Sequence, residues 1–337
     1  MAKRPVVALV GGESLLGREI RDLVGGTGGG FELRLLAGDE VPSGTLTRVG
    51  DEPSFVTALS AESLEDACAI ILAGSAESSR QALELAAAET GAAIIDLAGA
   101  AEELPDARLR APLAEPEDQL LDDSTRIHVI AHPAAIALAL FLRRLHNLAP
   151  IRRSVIQILA PASEHGKGGV EELQQQTISL FSFKNIPRAV FDTQLAFNLL
   201  VRYGEQAPAA LEEAELRIEH HLATLLALAG DGEGVPMPSL RLIQAPVFHG
   251  YSFSAWVEFE EAPEMEVLEG ALVAGSIEVR GPDVEAPTNV GQAGQAGIAL
   301  GGIEPDRNSA EACWFWIVAD NLRLAAENAV AVARQIV

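Results

Sequence analysis

The feature that most constrains this fold is an alternation of strand and helix patterns that begins at the N-terminus. Val6-Val7-Ala8-Leu9-Val10 is a continuous apolar run of β-branched character ended by Gly11-Gly12, and Leu15, Leu16, Ile20 and Val24 follow at helical spacing. That order predicts strand, tight turn, helix. Glu32–Ala37 and Ala67–Leu72 read as further strands, Ser78–Thr90 as a helix, and Ala92–Leu97 as the next strand. Strands alternating with helices predict an α/β protein with a Rossmann-like, doubly wound parallel sheet. Gly25–Gly30 reads as a flexible loop, and Pro105–Asp123 as an acidic, proline-punctuated surface segment.

The first turn has the small residues that a nucleotide-binding turn needs, since backbone N–H groups must approach a pyrophosphate at the helix N-terminus. Gly11 and Gly17 fill the first and last places of a G-x-x-G-x-x-G pattern whose middle place is Ser14. The candidate cofactor contacts are Gly11, Gly12, Ser14, Leu15, Gly17 and, after the second strand, Ala37. The same residues equally suit a βα turn that only packs closely. Ala37-Gly38-Asp39-Glu40 offers acids where a 2′-phosphate would want a cation, so NAD is favoured over NADP if a dinucleotide binds.

Forty-eight acids against 24 bases give a formal charge of −24, a field that repels phosphate backbones and argues against nucleic acid as a partner. The 48% hydrophobic content over 337 residues suits two globular domains. Met1–Pro5 leads into an apolar run too short for a signal peptide or a membrane span, so a cytoplasmic protein is expected. Cys68 and Cys313 are expected to be buried small hydrophobes. Among the histidines, His220 and His221 are adjacent and face apart, so no metal site is expected and the histidines read as exposed or cleft-lining.

Further along, Trp316-Ile317-Val318-Ala319-Asp320-Asn321-Leu322-Arg323 is followed by Ala325-Ala326-Glu327-Asn328-Ala329-Val330. With the glycine turn, Ile94–Leu97, Ser163–Leu173, Ala196-Phe197-Asn198 and Ala245-Pro246-Val247 before Gly250 and Ser252, it resembles the aspartate-semialdehyde dehydrogenase family, in a degenerate, Usg-like form. The resemblance runs almost the whole length. It implies a nucleotide-binding domain over 1–130, a mixed α+β dimerisation domain over 131–313, and a strand and helix over 314–337 returning to the first domain. It also implies a homodimer and a setting in amino-acid biosynthesis.

Family members form a thioester by cysteine attack on an aldehyde and hydride transfer to NADP, then release an acyl phosphate, which needs a thiol nucleophile, a histidine acid/base and cationic anchors. Under the resemblance, the family's Asn-Cys-Thr-Thr falls on His132, Pro133, Ala134 and Ala135, which contain no sulfur or hydroxyl. Its acid/base histidine becomes Tyr251, whose reference pKa of about 10 makes it a poor base. Its carboxylate-gripping arginine becomes Gln244, its phosphate-binding arginine Glu102, and its second phosphate lysine Leu222, while Glu219 persists. The phosphorylating activity is therefore expected to be absent. A catalytically silent homodimer that retains NAD binding is expected, with an unidentified protein partner as a further option. The alternative is an NAD-dependent oxidoreductase that transfers hydride directly to a carbonyl, with Tyr251 or His132 as proton donor. His132, His165, Glu219 and Tyr251 are expected to share one cleft.

Overall fold

The computed structural model describes residues 4–27, 30–39, 41–89, 91–116, 125–228 and 234–337. The chain divides into two compact units, one built from the segment up to Ala131 with Ala325–Val337, the other from His132–Leu324.

In the first unit, β1 (Val6–Val10), α1 (Leu15–Thr27), β2 (Glu32–Leu36), a hairpin of β3 (Leu46–Val49) and β4 (Glu52–Phe55), α2 (Ala61–Leu64), β5 (Ala67–Leu72), α3 (Ala76–Glu89), β6 (Ala93–Asp96), β7 (Ala107–Arg110) and β8 (Ile127–Ile130) follow in order. The main sheet runs β2-β1-β5-β6-β8-β7, and every pair is parallel. β1 is buried along its whole length because both faces are covered, which is why its sequence is apolar without alternation.

Three expectations change here. Gly25 and Gly26 belong to α1, not to a loop, and a Cβ on Gly25 would lie 2.4 Å from the Gly50 Cα at the tip of the hairpin. That glycine marks a close backbone approach. The segment expected to be surface after Pro105 contains β7, whose Arg110 forms a buried ion pair with Glu115 at 2.8 Å and also donates to Gln335 Oε1. Cys68 is half-buried in β5, and its thiol donates to the Val6 carbonyl. Helix α3 starts two residues before Ser78, and Thr90, Glu40 and residues 117–124 lie outside the described residues.

The second unit comprises α4 (Pro133–Leu148), β9 (Ile151–Ala160), a short 3-10 turn (Ala162–His165), α5 (Gly166–Phe181), α6 (Leu211–Ala227), β10 (Ser239–Gln244), β11 (Tyr251–Phe259), α7 (Met265–Leu272), β12 (Ile277–Val279), α8 (Asn289–Gln292), β13 (Ile298–Pro305), β14 (Ala312–Ala319) and the start of α9 (Asn321–Ile336). Its sheet runs β10-β9-β11-β14-β13-β12 and is mixed, with parallel pairs only at its two edges. The aromatic run at Trp314–Val318 is therefore an interior strand of this sheet. Asp320 caps α9, its Oδ1 accepting from the Leu322 and Arg323 amides. Helix α5 begins at Gly166, directly after the 3-10 turn that ends at His165.

One sheet face packs on helices, and Ile156, Ile158, Phe253 and Ile317 are buried there. On the other, Val155, Trp256 and Trp314 stand in register across three strands, with Trp316 one row further along. Val155 is 47% and Trp314 43% exposed. Among the described residues, no helix is long and apolar enough to cross a membrane.

Candidate functional site

The site begins at the N-terminus of α4. Pro133 takes the first helical position, where its missing N–H costs nothing, so the first amide needing a partner is that of Ala134. His132 supplies it: its Nδ1 accepts from Ala134 N–H at 3.2 Å. An accepting Nδ1 places the ring proton on Nε2, which lies 2.8 Å from Glu164 Oε1. The His132 backbone amide donates to His221 Nδ1 on α6 at 2.9 Å. His-Pro-Ala thus reads as a capped helix start.

Glu164 is the hub. Its second oxygen accepts from the Tyr251 hydroxyl at 2.7 Å, so one carboxylate joins the end of β9, the start of α4 and the start of β11. Burial alone would raise its carboxyl, but the attraction and hydrogen bond of His132, the Tyr251 hydrogen bond and His165 together hold it at about 2. The group is ionised at neutral pH. Burial, then the charge and hydrogen bond of Glu164, then Tyr203 push the Tyr251 phenol well above its ordinary value, against an opposing pull from Arg217. Tyr251 is 1% exposed and stays protonated.

A second chain of hydrogen bonds lies beside the first. Gln244 is fully buried and donates to the Ala160 and Ala245 carbonyls, leaving its oxygen to accept from the Tyr203 hydroxyl at 2.7 Å. With its own hydrogen donated to Gln244, the Tyr203 oxygen accepts from His165 Nε2 at 2.8 Å. Burial lowers the His165 pKa against the pull of Glu164 and Glu172, and burial followed by the charge of Glu164 raises that of Tyr203. Where the resemblance implies an arginine, Gln244 holds only backbone and a phenol.

The expected cleft residues are brought together in part. His132 and Tyr251 meet through Glu164, whereas His165 turns to Tyr203 and half-buried Glu219 bonds to neither. Leu222 is fully buried on α6. Glu102 lies in the turn between β6 and β7 of the first unit, half-buried. The sequence reading missed Glu164 and His221. Contrary to the expectation for the histidines, His128, His132 and His221 are at most 2% exposed. His128 and His132 stand four apart, but one lies in β8 and the other caps α4, so the spacing does not align them as helical ligands would. Among the described residues, no group of three or more His, Cys, Asp or Glu side chains is placed to hold a metal ion.

In the first unit the glycine turn follows β1. Gly11 has φ +77°, and a Cβ there would fall 2.3 Å from Gly74 Cα; one on Gly17 would fall 2.2 Å from the Gly11 carbonyl oxygen. Backbone packing alone therefore demands both glycines. Ser14 caps α1, accepting from Gly17 N–H at 2.8 Å while its hydroxyl donates to the Ala73 carbonyl. Glu13 pairs with Arg21, which also reaches Thr47 on β3. The Leu15 amide stands at the open start of α1, Gly12 packs against Leu35, and Ala37 closes β2 through its amide to Thr57.

A parallel sheet with a glycine turn after its first strand and a mixed sheet with one open aromatic face define a two-unit α/β scaffold. Residues 142–324 match the semialdehyde dehydrogenase dimerisation domain. An aspartate-semialdehyde dehydrogenase of Rickettsia bellii is 33% identical, with 67% of this chain and 68% of that one covered. A USG-1 protein homolog of Azotobacter vinelandii is 32% identical over 73% of this chain and 72% of its own. The structure of a probable aspartate-semialdehyde dehydrogenase from Pseudomonas aeruginosa superposes with a TM-score of 0.83 at 27% identity, covering 98% of each chain. The chain belongs to the semialdehyde dehydrogenase family, which includes both aspartate-semialdehyde dehydrogenases and USG-1 homologues.

Proposed function

We propose that this protein is a non-catalytic, homodimeric member of its family. The observation that carries the reading is the hydrogen-bond closure at the start of α4. His132 uses both ring nitrogens, the Tyr251 hydroxyl donates a hydrogen bond to Glu164, and Gln244 is spent on two carbonyls and Tyr203. No thiol or hydroxyl stands at the position the family uses for its nucleophile, and an ionised carboxylate adds negative charge beside it. Direct hydride transfer to a carbonyl draws less support, because a phenol whose pKa is driven far up is a poor proton donor near neutrality.

The open row Val155, Trp256 and Trp314 is the face on which a second copy would pack, since exposed aromatic area on a sheet marks an interaction surface. A dinucleotide would sit at the glycine turn, with NAD favoured over NADP because Asp39 follows β2. A cytoplasmic setting accompanies this reading. The test is an assay with aspartate semialdehyde, NADP and phosphate. The expected result is no turnover above the protein-free rate, and a kcat near the ~10 s⁻¹ of an ordinary enzyme overturns the proposal. Melting with NAD, NADH, NADP or NADPH tests the nucleotide, which raises the midpoint if it binds the native state.

A further inference from the structure

The glycine turn follows the C-terminal end of β1, and β6, β7 and β8 begin at the opposite end of the same parallel sheet. There the first unit holds a cavity of about 680 Å³, within the range of small-molecule sites. Leu83 and Ala87 of α3, Ile94 of β6, Ile127 of β8 and Leu104 of the loop before β7 make its apolar lining. Leu104 is 43% exposed and Ile94 6%, so the lining runs from the surface down to the edge of the core. Arg80, Arg108 and Arg126 also line the cavity, against Glu84 and Asp106. Three guanidinium groups around one cavity run against the general field of a chain with a net charge of −24.

The three arginines are not equally engaged. Arg80 pairs with Glu77 at 2.8 Å, and Arg126 donates to the Ala92 carbonyl at 3.2 Å. Arg108 is exposed on the edge strand β7, and its side chain makes no hydrogen bond or ion pair among the described residues. Its planar fork suits a carboxylate, which it can hold through two charge-assisted hydrogen bonds. A hydrated inorganic anion would leave the apolar lining unused, and an uncharged hydrocarbon would leave Arg108 unused.

We propose that this cavity binds a small amphiphilic carboxylate, its hydrocarbon body against Ile94, Ile127 and Leu104 and its head on Arg108. The site is separate from the glycine turn and from the His132 cluster. Decanoate is the probe, measured by titration calorimetry on the full chain. Saturable binding below ~1 mM is expected, with decanol at least about tenfold weaker. Arg108→Glu is expected to weaken decanoate by about tenfold or more, and Ala87→Trp, which fills the cavity without changing charge, to weaken both ligands. Arg188→Glu, an exposed arginine of the second unit, is the control and leaves binding unchanged. Absence of saturable binding, equal affinity for decanol, undiminished binding by Arg108→Glu or Ala87→Trp, or equal weakening by Arg188→Glu each overturns the proposal.

Discussion

His132 and Glu164 fix each other's hydrogen-bonding roles. Nδ1 of the histidine is occupied by the Ala134 amide, so its single proton points from Nε2 to the carboxylate 2.8 Å away. Removing the charge from that pair leaves His132 and Tyr251 competing for one amide oxygen. Glu164→Gln should therefore lower stability by about 1–3 kcal/mol, read from urea unfolding. An unchanged midpoint would show that the cluster contributes nothing to the fold.

The phenols give a second readout. Tyr203 and Tyr251 are the only two tyrosines, and burial and Glu164 raise both. The native protein should show no tyrosinate absorbance around pH 10, where unfolded chain ionises normally. In Glu164→Gln the onset should move to lower pH, since one cause common to both shifts is gone. Native tyrosinate absorbance developing with the ordinary midpoint would contradict the buried network.

Acid should act at two places with the same sign. The Glu164 carboxyl is depressed to about 2 from 4.5, so its stabilisation is present above pH 4.5 and is lost as pH falls toward 2. His128 is lowered to about 4 from 6.5, chiefly by burial and then by Arg110, so neutral His128 favours the fold above pH 6.5. That contribution declines as pH falls from 6.5 toward 4. His128→Leu should flatten the melting temperature over pH 6.5 to 4 while leaving the steeper acid loss below pH 4.5 in place.

The glycines of α1 and its turn should behave in opposite ways. Gly17→Ala puts a methyl 2.2 Å from a backbone oxygen and should cost more than about 2 kcal/mol with or without nucleotide. Gly26→Ala meets nothing within 4 Å in a helix and should stabilise by about 0.5–1 kcal/mol. Chemical denaturation of the two variants measures both effects.

For the open sheet face, Trp314→Arg should halve the mass seen by light scattering after size exclusion, because it places a charge at the most exposed aromatic ring of the row. A dimer that survives this change would place the interface elsewhere.

Four strands of the parallel sheet, β1, β2, β5 and β6, were legible because burial on both faces writes itself as an apolar run, as in Val6–Val10, whereas β7 and β8 were not. The cap at Asp320 is a local feature, since a cap acts within three residues. Gly25 misled because a glycine that permits close approach of two backbones looks, in sequence, like a glycine that permits a loop. The resemblance located His132, Tyr251 and Gln244 at the altered positions, yet carried no sign of what joins them.

By itself, then, the sequence determined the alternating architecture at the start of the first unit and the absence of a thiol at His132-Pro133-Ala134. Only the tertiary structure decided that Glu164, 32 residues beyond His132 and 87 before Tyr251, bonds to both. The physical reason is that hydrogen bonding and desolvation act through space. A glutamate in an S-E-H-G-K segment is indistinguishable from a surface acid until packing brings a histidine and a phenol to its two oxygens.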